Sequence, residues 1–423
     1  VTPLEEGSGE ARRWLWITLA VPDPPTNGQF LYSKGLIEAA RFARIRLDVI
    51  AVRRADGPAP DARAAMDDVR WWIARDPQRS RWISAVSPLP HIASRANTRT
   101  MRLLLRDRLH RDGAEWEAIV FDSLAAGWAL RPILGALRSH HYRPRLIYVA
   151  HNHETSLARR LAAIHPHALK RQISRIDAVK VALLERALAR QVDVITADSP
   201  DDCVLFRAAC PHTRVEWLPP VFLGSPVRAR WIGPQVPRRA VMLGTFDWLP
   251  KRFNLIEFLR AADPLFAAAG IELQVVGAAD RSFLDQLRPT VRATTFTGPV
   301  KDPGPYLASA RIGVVAERVG GGFKLKTLDY VFSRVPMAAL TGTIPGMPVT
   351  DGESAIIAPD APTLARRIVA VIDDFDMLNR LQSAAHRACV GLFDVPAASR
   401  VLSAAEAWPV VADTEPLAAG AWD

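Results

Sequence analysis

Short apolar runs, most of them closed by an acid, a histidine or a glycine, constrain this chain more than any other feature. Ala118-Ile119-Val120-Phe121-Asp122 and Leu146-Ile147-Tyr148-Val149-Ala150-His151 are two of them, and Leu273-Gln274-Val275-Val276-Gly277 and Ile312-Gly313-Val314-Val315 are two more. They are too short for helices and largely apolar on both faces, which suits strands of a parallel sheet covered on both sides. Between such runs lie segments with helical spacing: Phe30 to Ala43, Lys170 to Gln191, Asn254 to Ala269, Thr363 to Asp373 and Met377 to Leu392. Strand and helix alternate in this way twice, so the sequence predicts an α/β chain of two Rossmann-like, doubly wound domains.

A length of 423 residues agrees, since one ordinary core does not grow that large. Pro219 to Pro237 holds five prolines and two glycines with little periodicity, and is read as the connection between domains. The expected domains are residues 1–225 and 226–392, with a last helix at 393–410 returning to the first. The run Trp14 to Val21 is only about eight residues long and ends in Pro22-Asp23-Pro24-Pro25, so it reads as a first buried strand rather than a signal peptide. No run approaches the ~20 apolar residues of a membrane span. Cys203, Cys210 and Cys389 show no metal or disulfide spacing, which favours a reducing, cytoplasmic setting.

The formal charge is +10, and residues 1–225 hold 33 Lys and Arg against 24 Asp and Glu. A one-sided excess implies an anionic partner for the first half. Arg70-Trp71-Trp72, Arg79 and Arg81-Trp82 interleave basic and aromatic residues. Arg95, Arg99, Arg102 and Arg106 then fall on one side of an expected helix, opposite Met101, Leu104, Leu105 and Leu109. That stripe suits peripheral docking on an anionic membrane surface, or it is simply a solvated face. No nucleic-acid module accompanies it, so nucleic acid is not an expected partner.

The chemistry-bearing residues stand at the carboxyl ends of expected strands, where open parallel sheets place ligands. Gly320-Gly321-Gly322 follows a strand and precedes a helix start carrying Lys324, Lys326 and Asp329. Glycines admit a phosphate, the amides of Phe323, Lys324 and Leu325 can donate to it, and Lys326 and Lys251 can supply countercharge. Asp329 can accept two hydroxyls, as ribose recognition requires. A flexible turn before a solvated helix face would look similar. His151 ends a strand of the first domain, where an imidazole can bond a substrate hydroxyl or steady a developing charge. His153 and Glu154 beside it lack the spacing of a metal motif and no third ligand is evident, so no metal is expected.

With those residues in view, the chain resembles the retaining nucleotide-sugar glycosyltransferases of the GT-B fold, in their large family four. Val241 to Lys251 resembles the first donor-domain strand and phosphate loop of that family. Leu273 to Gly277 and Thr295 to Val300 resemble the next two strands, and Gly321 to Asp329 with Val335-Pro336 its glycine–lysine–acid element. The likeness is looser in the first domain, at the Gly28 loop, His151-Asn152-His153-Glu154, and Glu185-Arg186-Ala187-Leu188 leading to Ala197-Asp198-Ser199. Residues 53–116 lie outside it.

The resemblance implies two domains facing across a cleft and transfer from a nucleotide-sugar donor to a glycan or lipid-linked acceptor in envelope or exopolysaccharide synthesis. No cofactor or metal is implied. The donor would be held by Gly28, Gly244, Lys251, Arg252, Gly321, Gly322, Phe323, Lys324, Leu325 and Lys326. His151, Asp329 and Glu317 would act on the sugar and nucleotide. Three departures stand out. Asp329 replaces the family's usual Glu, Gly321 occupies the place of an earlier Glu and leaves Glu317 as the only nearby acid, and Thr245 stands where many members carry a phosphate-binding Arg. A non-catalytic GT-B scaffold and a GT-B nucleotide-sugar epimerase or inverting transferase therefore remain as alternatives.

Overall fold

A computed structural model describes residues 12–25, 27–54, 68–76, 84, 86–112, 115–138, 143–164 and 167–404. The chain forms two compact units. One comprises the described residues up to Ala197, Asp202–Leu218 and the helix Val395–Ser403, and the other Asp198–Asp201 with Pro219–Asp394.

The first unit is built on a seven-stranded parallel sheet: β1 (Arg13–Ala20), β2 (Arg46–Val52), β3 (Val69–Ala74), β4 (Ala118–Asp122), β5 (Arg145–Ala150), β6 (Val194–Ala197) and β7 (Arg214–Trp217). Their order across the sheet is β3-β2-β1-β4-β5-β6-β7. Every residue of β1 and β4 is buried, as continuous apolar runs require of strands covered on both faces. Trp16 of β1 lies in register with Val49 of β2 and Val120 of β4, so the strand order reverses at β1. Helix Gly28–Phe42 begins after an Asn27 cap whose side chain accepts from the Phe30 amide at 3.0 Å. The final helix Val395–Ser403 packs on helix Gly28–Phe42.

The second unit repeats the plan with six parallel strands: β8 (Arg239–Leu243), β9 (Glu272–Val276), β10 (Thr294–Phe296), β11 (Ile312–Val315), β12 (Met337–Leu340) and β13 (Ile356–Ala358). Their order is β10-β9-β8-β11-β12-β13, with the reversal between β8 and β11. Helices Leu249–Ala269 and Ala361–Val371 pack together over a core of Phe258, Leu259, Phe266, Leu364 and Ile368. Two glycines have no substitute here. A Cβ on Gly277, at φ +136°, would lie 1.7 Å from the carbonyl oxygen of Gly244, and one on Gly313 would strike the Tyr330 ring at 2.7 Å.

The structure refines three sequence readings. The proline-rich stretch is not a free connection: Asn379 bonds both the amide and the carbonyl of Ile232, and Ile232 and Val236 pack on Leu378. Residues 53–116 contain a strand: Trp71 and Trp72 lie in β3, beside β2. Trp72 donates to Asp48 at 3.3 Å, and Arg108 stacks 4.0 Å over its ring. Trp72 is thus held in the sheet by a buried carboxylate, while Arg79, Arg81 and Trp82 fall outside the described residues. The arginine stripe is also broken. Arg95 belongs to helix His91–Ala96, and Arg99, Arg102 and Arg106 to a separate helix, Arg99–Asp112. Thr98 makes the break: its hydroxyl accepts from the Met101 amide, and Asp76 takes the Thr100 amide and hydroxyl, each at 2.8 Å.

Candidate functional site

In the second unit, the strand order places the loops after β8 and β11 side by side. Three lysines gather there. Lys326, the first residue of helix Lys326–Phe332, bonds the Glu317 carboxylate and donates to the Leu243 carbonyl at 2.8 Å. Lys324 folds back over its own loop, donating to the carbonyls of Gly321 at 2.6 Å and Gly322 at 3.1 Å. Lys251 lies in the same field: burial pulls its pKa down, Glu317 opposes that, and Lys326 and Lys324 add repulsion. Burial alone would raise the pKa of Glu317, yet Lys326, Lys251 and Lys324 hold it at about 2. Glu317 is therefore an anion that organises three cations, and it neutralises only one of them.

The loop that carries the glycines is clamped by a residue that sequence reasoning passed over. Asn254 donates to the Val319 carbonyl at 2.7 Å and accepts from the Val319 amide at 3.0 Å. Of the three glycines, Gly322 takes a left-handed turn at φ +60°. The next amide, Phe323, is one of the expected phosphate donors but is already engaged, donating to the Asp198 carboxylate at 3.0 Å. The expected helix also begins later than the sequence suggested, so Phe323 and Lys324 lie before it.

Asp329 is half-buried in the first turn of that helix, and burial lifts its carboxyl to about 7, opposed by Lys326 alone. Arg252 is committed elsewhere: it donates to the Phe246 carbonyl at 2.9 Å, pairs with Asp280 and stacks 5.0 Å over Phe283. Its part in shaping the loop after β8 is direct, because it holds that loop's backbone. Gly244 lies at the start of the same loop, where a Cβ would meet the Phe246 ring at 2.8 Å.

In the first unit, His151 follows β5 and is 7% exposed. Its Nε2 lies 2.6 Å from Oδ1 of Asp122, the fully buried last residue of β4. Asp122 also accepts from the Trp16 indole at 3.0 Å. Burial works against its ionisation, but the charge and hydrogen bond of His151 and the Trp16 bond hold it below the usual carboxylate value. The pair fixes which imidazole nitrogen faces the acid and leaves Nδ1 buried without a partner among the described residues. Tyr32 packs edge-on against the imidazole at 4.9 Å. The sequence showed Asp122 only as a strand end; no spacing rule links it to His151.

The His151 loop is tied down from behind. Glu185 accepts from the amides of Glu154 and Thr155, each at 2.8 Å, so a buried carboxylate caps helix Glu154–Ile164. Glu154 is lifted by burial and by Glu185 to about 8, against a bond from Asn152. His153 bonds Ser156 at 2.7 Å and packs on Phe206. Among the described residues no group of three or more His, Cys, Asp or Glu side chains is placed to hold a metal ion. Gly28 is the first residue of its helix, one position after the Asn27 cap.

Two doubly wound parallel-sheet units define the GT-B class of α/β enzymes. Residues 237–374 match the model of the glycosyl transferases group 1 family, so the second unit carries a glycosyltransferase domain and the chain is an enzyme of that class. The fold agrees over nearly the whole chain. Sucrose-phosphate synthase from Thermosynechococcus elongatus superimposes with TM-score 0.67 at 17% identity, covering 94% of this chain and 98% of that one. HepE of Anabaena, in complex with UDP and glucose, gives 0.62 at 13% identity over 94% and 99%. WaaG, a glycosyltransferase involved in lipopolysaccharide biosynthesis, gives 0.61 at 14% over 93% and 99%. No curated sequence matches the chain.

Proposed function

We propose that this chain transfers a sugar from a nucleoside-diphosphate donor, with retention, to a glycan or lipid-linked acceptor. The observation that carries the reading is the cluster of Lys251, Lys324 and Lys326 around one carboxylate, beside a left-handed glycine turn at a reversal of strand order. A diphosphate brings the negative charge that three ammonium groups and one Glu317 leave unmatched. Lys324 spends its bonds on loop carbonyls, so it can swing to a phosphate and release that loop. Asp329, as a carboxylate, accepts the ribose hydroxyls. His151, oriented by Asp122, serves the transferred sugar. Lysines that meet the leaving diphosphate stabilise the charge that develops as the glycosidic bond breaks. Since HepE was solved with UDP and glucose, uridine donors are the first to test. Calorimetric titration of UDP-sugars, followed by NMR of the product anomer, checks both parts. No heat with any nucleotide sugar sinks the donor assignment, and an inverted anomer sinks retention.

A second reading has its own observation. A histidine held by a buried aspartate, with Nδ1 unpartnered, is also how a general base is built. It supports inversion or epimerisation, and formation of a free epimerised sugar without any acceptor would favour it.

A further inference from the structure

A groove of about 750 Å³ opens within the first unit, between helices Glu154–Ile164, Ala168–Gln191 and the carboxyl-terminal part of Pro200–Ala209. Its wall is mainly apolar, with Ala163, Ala182, Leu183, Val179 and Phe206 among the lining residues. Arg159, Arg175 and Arg186 line it too, all exposed, and none has a hydrogen-bond or ion-pair partner among the described residues. Glu185 also lines the groove, but its two oxygens are taken by the backbone amides of Glu154 and Thr155.

The groove does not end at its rim. Helix Ala168–Gln191 continues its apolar face outward through Leu169, Ile173, Ile176, Val179 and Leu183, which are 41–74% exposed. Their spacing of four, three, three and four residues puts them on one side of the helix. Exposed Arg175, Arg186 and Arg190 lie beside that stripe on the same arc. The opposite side is already occupied, with Ala178, Val181, Glu185 and Leu188 buried; at the edge of the stripe Asp177 accepts the His91 amide at 2.8 Å, and Lys180, beside Ile173 and Ile176, donates to the Ser87 carbonyl at 2.6 Å. An apolar stripe bordered by free guanidinium groups is complementary to a surface that is apolar beneath and phosphate-bearing above.

We propose that this face docks on an anionic phospholipid bilayer, the stripe entering the acyl boundary, Arg159, Arg175 and Arg186 pairing with headgroup phosphates, and the groove receiving the chain of one lipid. This moves membrane contact to helix Ala168–Gln191, away from the Arg95, Arg99, Arg102 and Arg106 stripe, for which the sequence offered docking or a solvated face. It deepens the proposed function by naming the surface on which a lipid-linked acceptor is met, yet it is tested without any sugar.

The test is co-sedimentation of the full chain with vesicles containing phosphatidylglycerol, or phosphatidylcholine alone, at low and high salt. Wild type should bind the anionic vesicles and lose most of that binding at high salt. I173D/I176D and R175E/R186E should each lower binding roughly ten-fold or more, while R99E/R102E leaves it near wild type. All six substituted sites are solvent-exposed, so folding is checked by an unchanged thermal midpoint, and UDP titration reports the donor site independently. Binding lost in R99E/R102E but kept in the groove variants overturns the assignment. So does failure of wild type to bind anionic vesicles, or equal binding to both vesicle types.

Discussion

In the first sheet, β4 ends in Asp122 and β5 runs straight into His151, and the two form a buried pair joined at 2.6 Å. In the second, the loops after β8 and β11 bring together Lys251, Lys324, Lys326 and Glu317, and the resulting field holds a buried carboxyl at about 2. Both places are carboxyl ends of parallel strands in sheets of matching order, so topology does not distinguish them. Side-chain chemistry does. One site keeps a proton in a defined place; the other assembles positive charge that the protein does not cancel. The contrast suits a reaction in which one end handles a hydroxyl or a proton and the other a leaving phosphate.

The strongest way to break that contrast is to remove the cation that does two jobs. Lys326→Ala should cost about 3 kcal/mol in unfolding free energy, since it strands a buried carboxylate. Donor affinity should fall roughly ten-fold or more with the lost charge-assisted contact. Denaturant melts and UDP-sugar titration measure the two separately. The double variant E317Q/K326M should recover most of the stability and none of the affinity. If it recovers both, Lys326 is structural and the cationic site is misassigned.

Asp122→Asn tests the other end. The amide keeps a bond to His151 but can favour the wrong imidazole tautomer, so turnover should fall by about 100-fold while donor affinity stays within a factor of two or so. Loss of affinity equal to the loss of turnover would place His151 in ground-state binding instead.

A smaller effect sharpens the role of Asp329. A carboxylate accepts both ribose hydroxyls strongly, whereas its protonated form keeps one weaker acceptor oxygen, and Asp329 ionises at about 7. Donor affinity should therefore rise, by about ten-fold, as pH increases from roughly 6 to 8. Asp329→Asn should flatten that rise. A wild-type affinity independent of pH across this window would remove Asp329 from the nucleotide.

Much of the frame was legible because strands buried on both faces leave continuous apolar runs; β1, β4, β5 and β11 all show it. The loop after Val315 was legible as a phosphate site because Gly320-Gly321-Gly322 and two lysines lie within seven residues. What escaped was set by long-range geometry. Asp122 and His151 are 29 residues apart, Asn254 and Val319 are 65 apart, and Phe323 and Asp198 are 125 apart. Nothing local in Asp198 says that it will occupy the amide of Phe323. The Arg95–Arg106 stripe failed for the opposite reason: the helical spacing was real, but Thr98 and Asp76 supply a cap that divides it.

The last effect concerns Glu154, behind the His151 loop, and bears on stability rather than on the donor. Its folded value of about 8 lies above the ordinary 4.5, so the folded protein holds a proton there that the unfolded chain has released. Linkage then requires stability from this group to be full below about 4.5 and to decline as pH rises toward about 8. Glu154→Gln removes the titration while preserving shape and the bond from Asn152. The variant should be steadier than wild type across that window, gaining on the order of 3 kcal/mol between pH 5 and pH 8. Thermal midpoints of both proteins measured from pH 5 to pH 8 give the difference. Parallel curves would mean that Glu154 is ionised throughout, and that Glu185 shares its burial with a negative neighbour at no cost to the loop it holds.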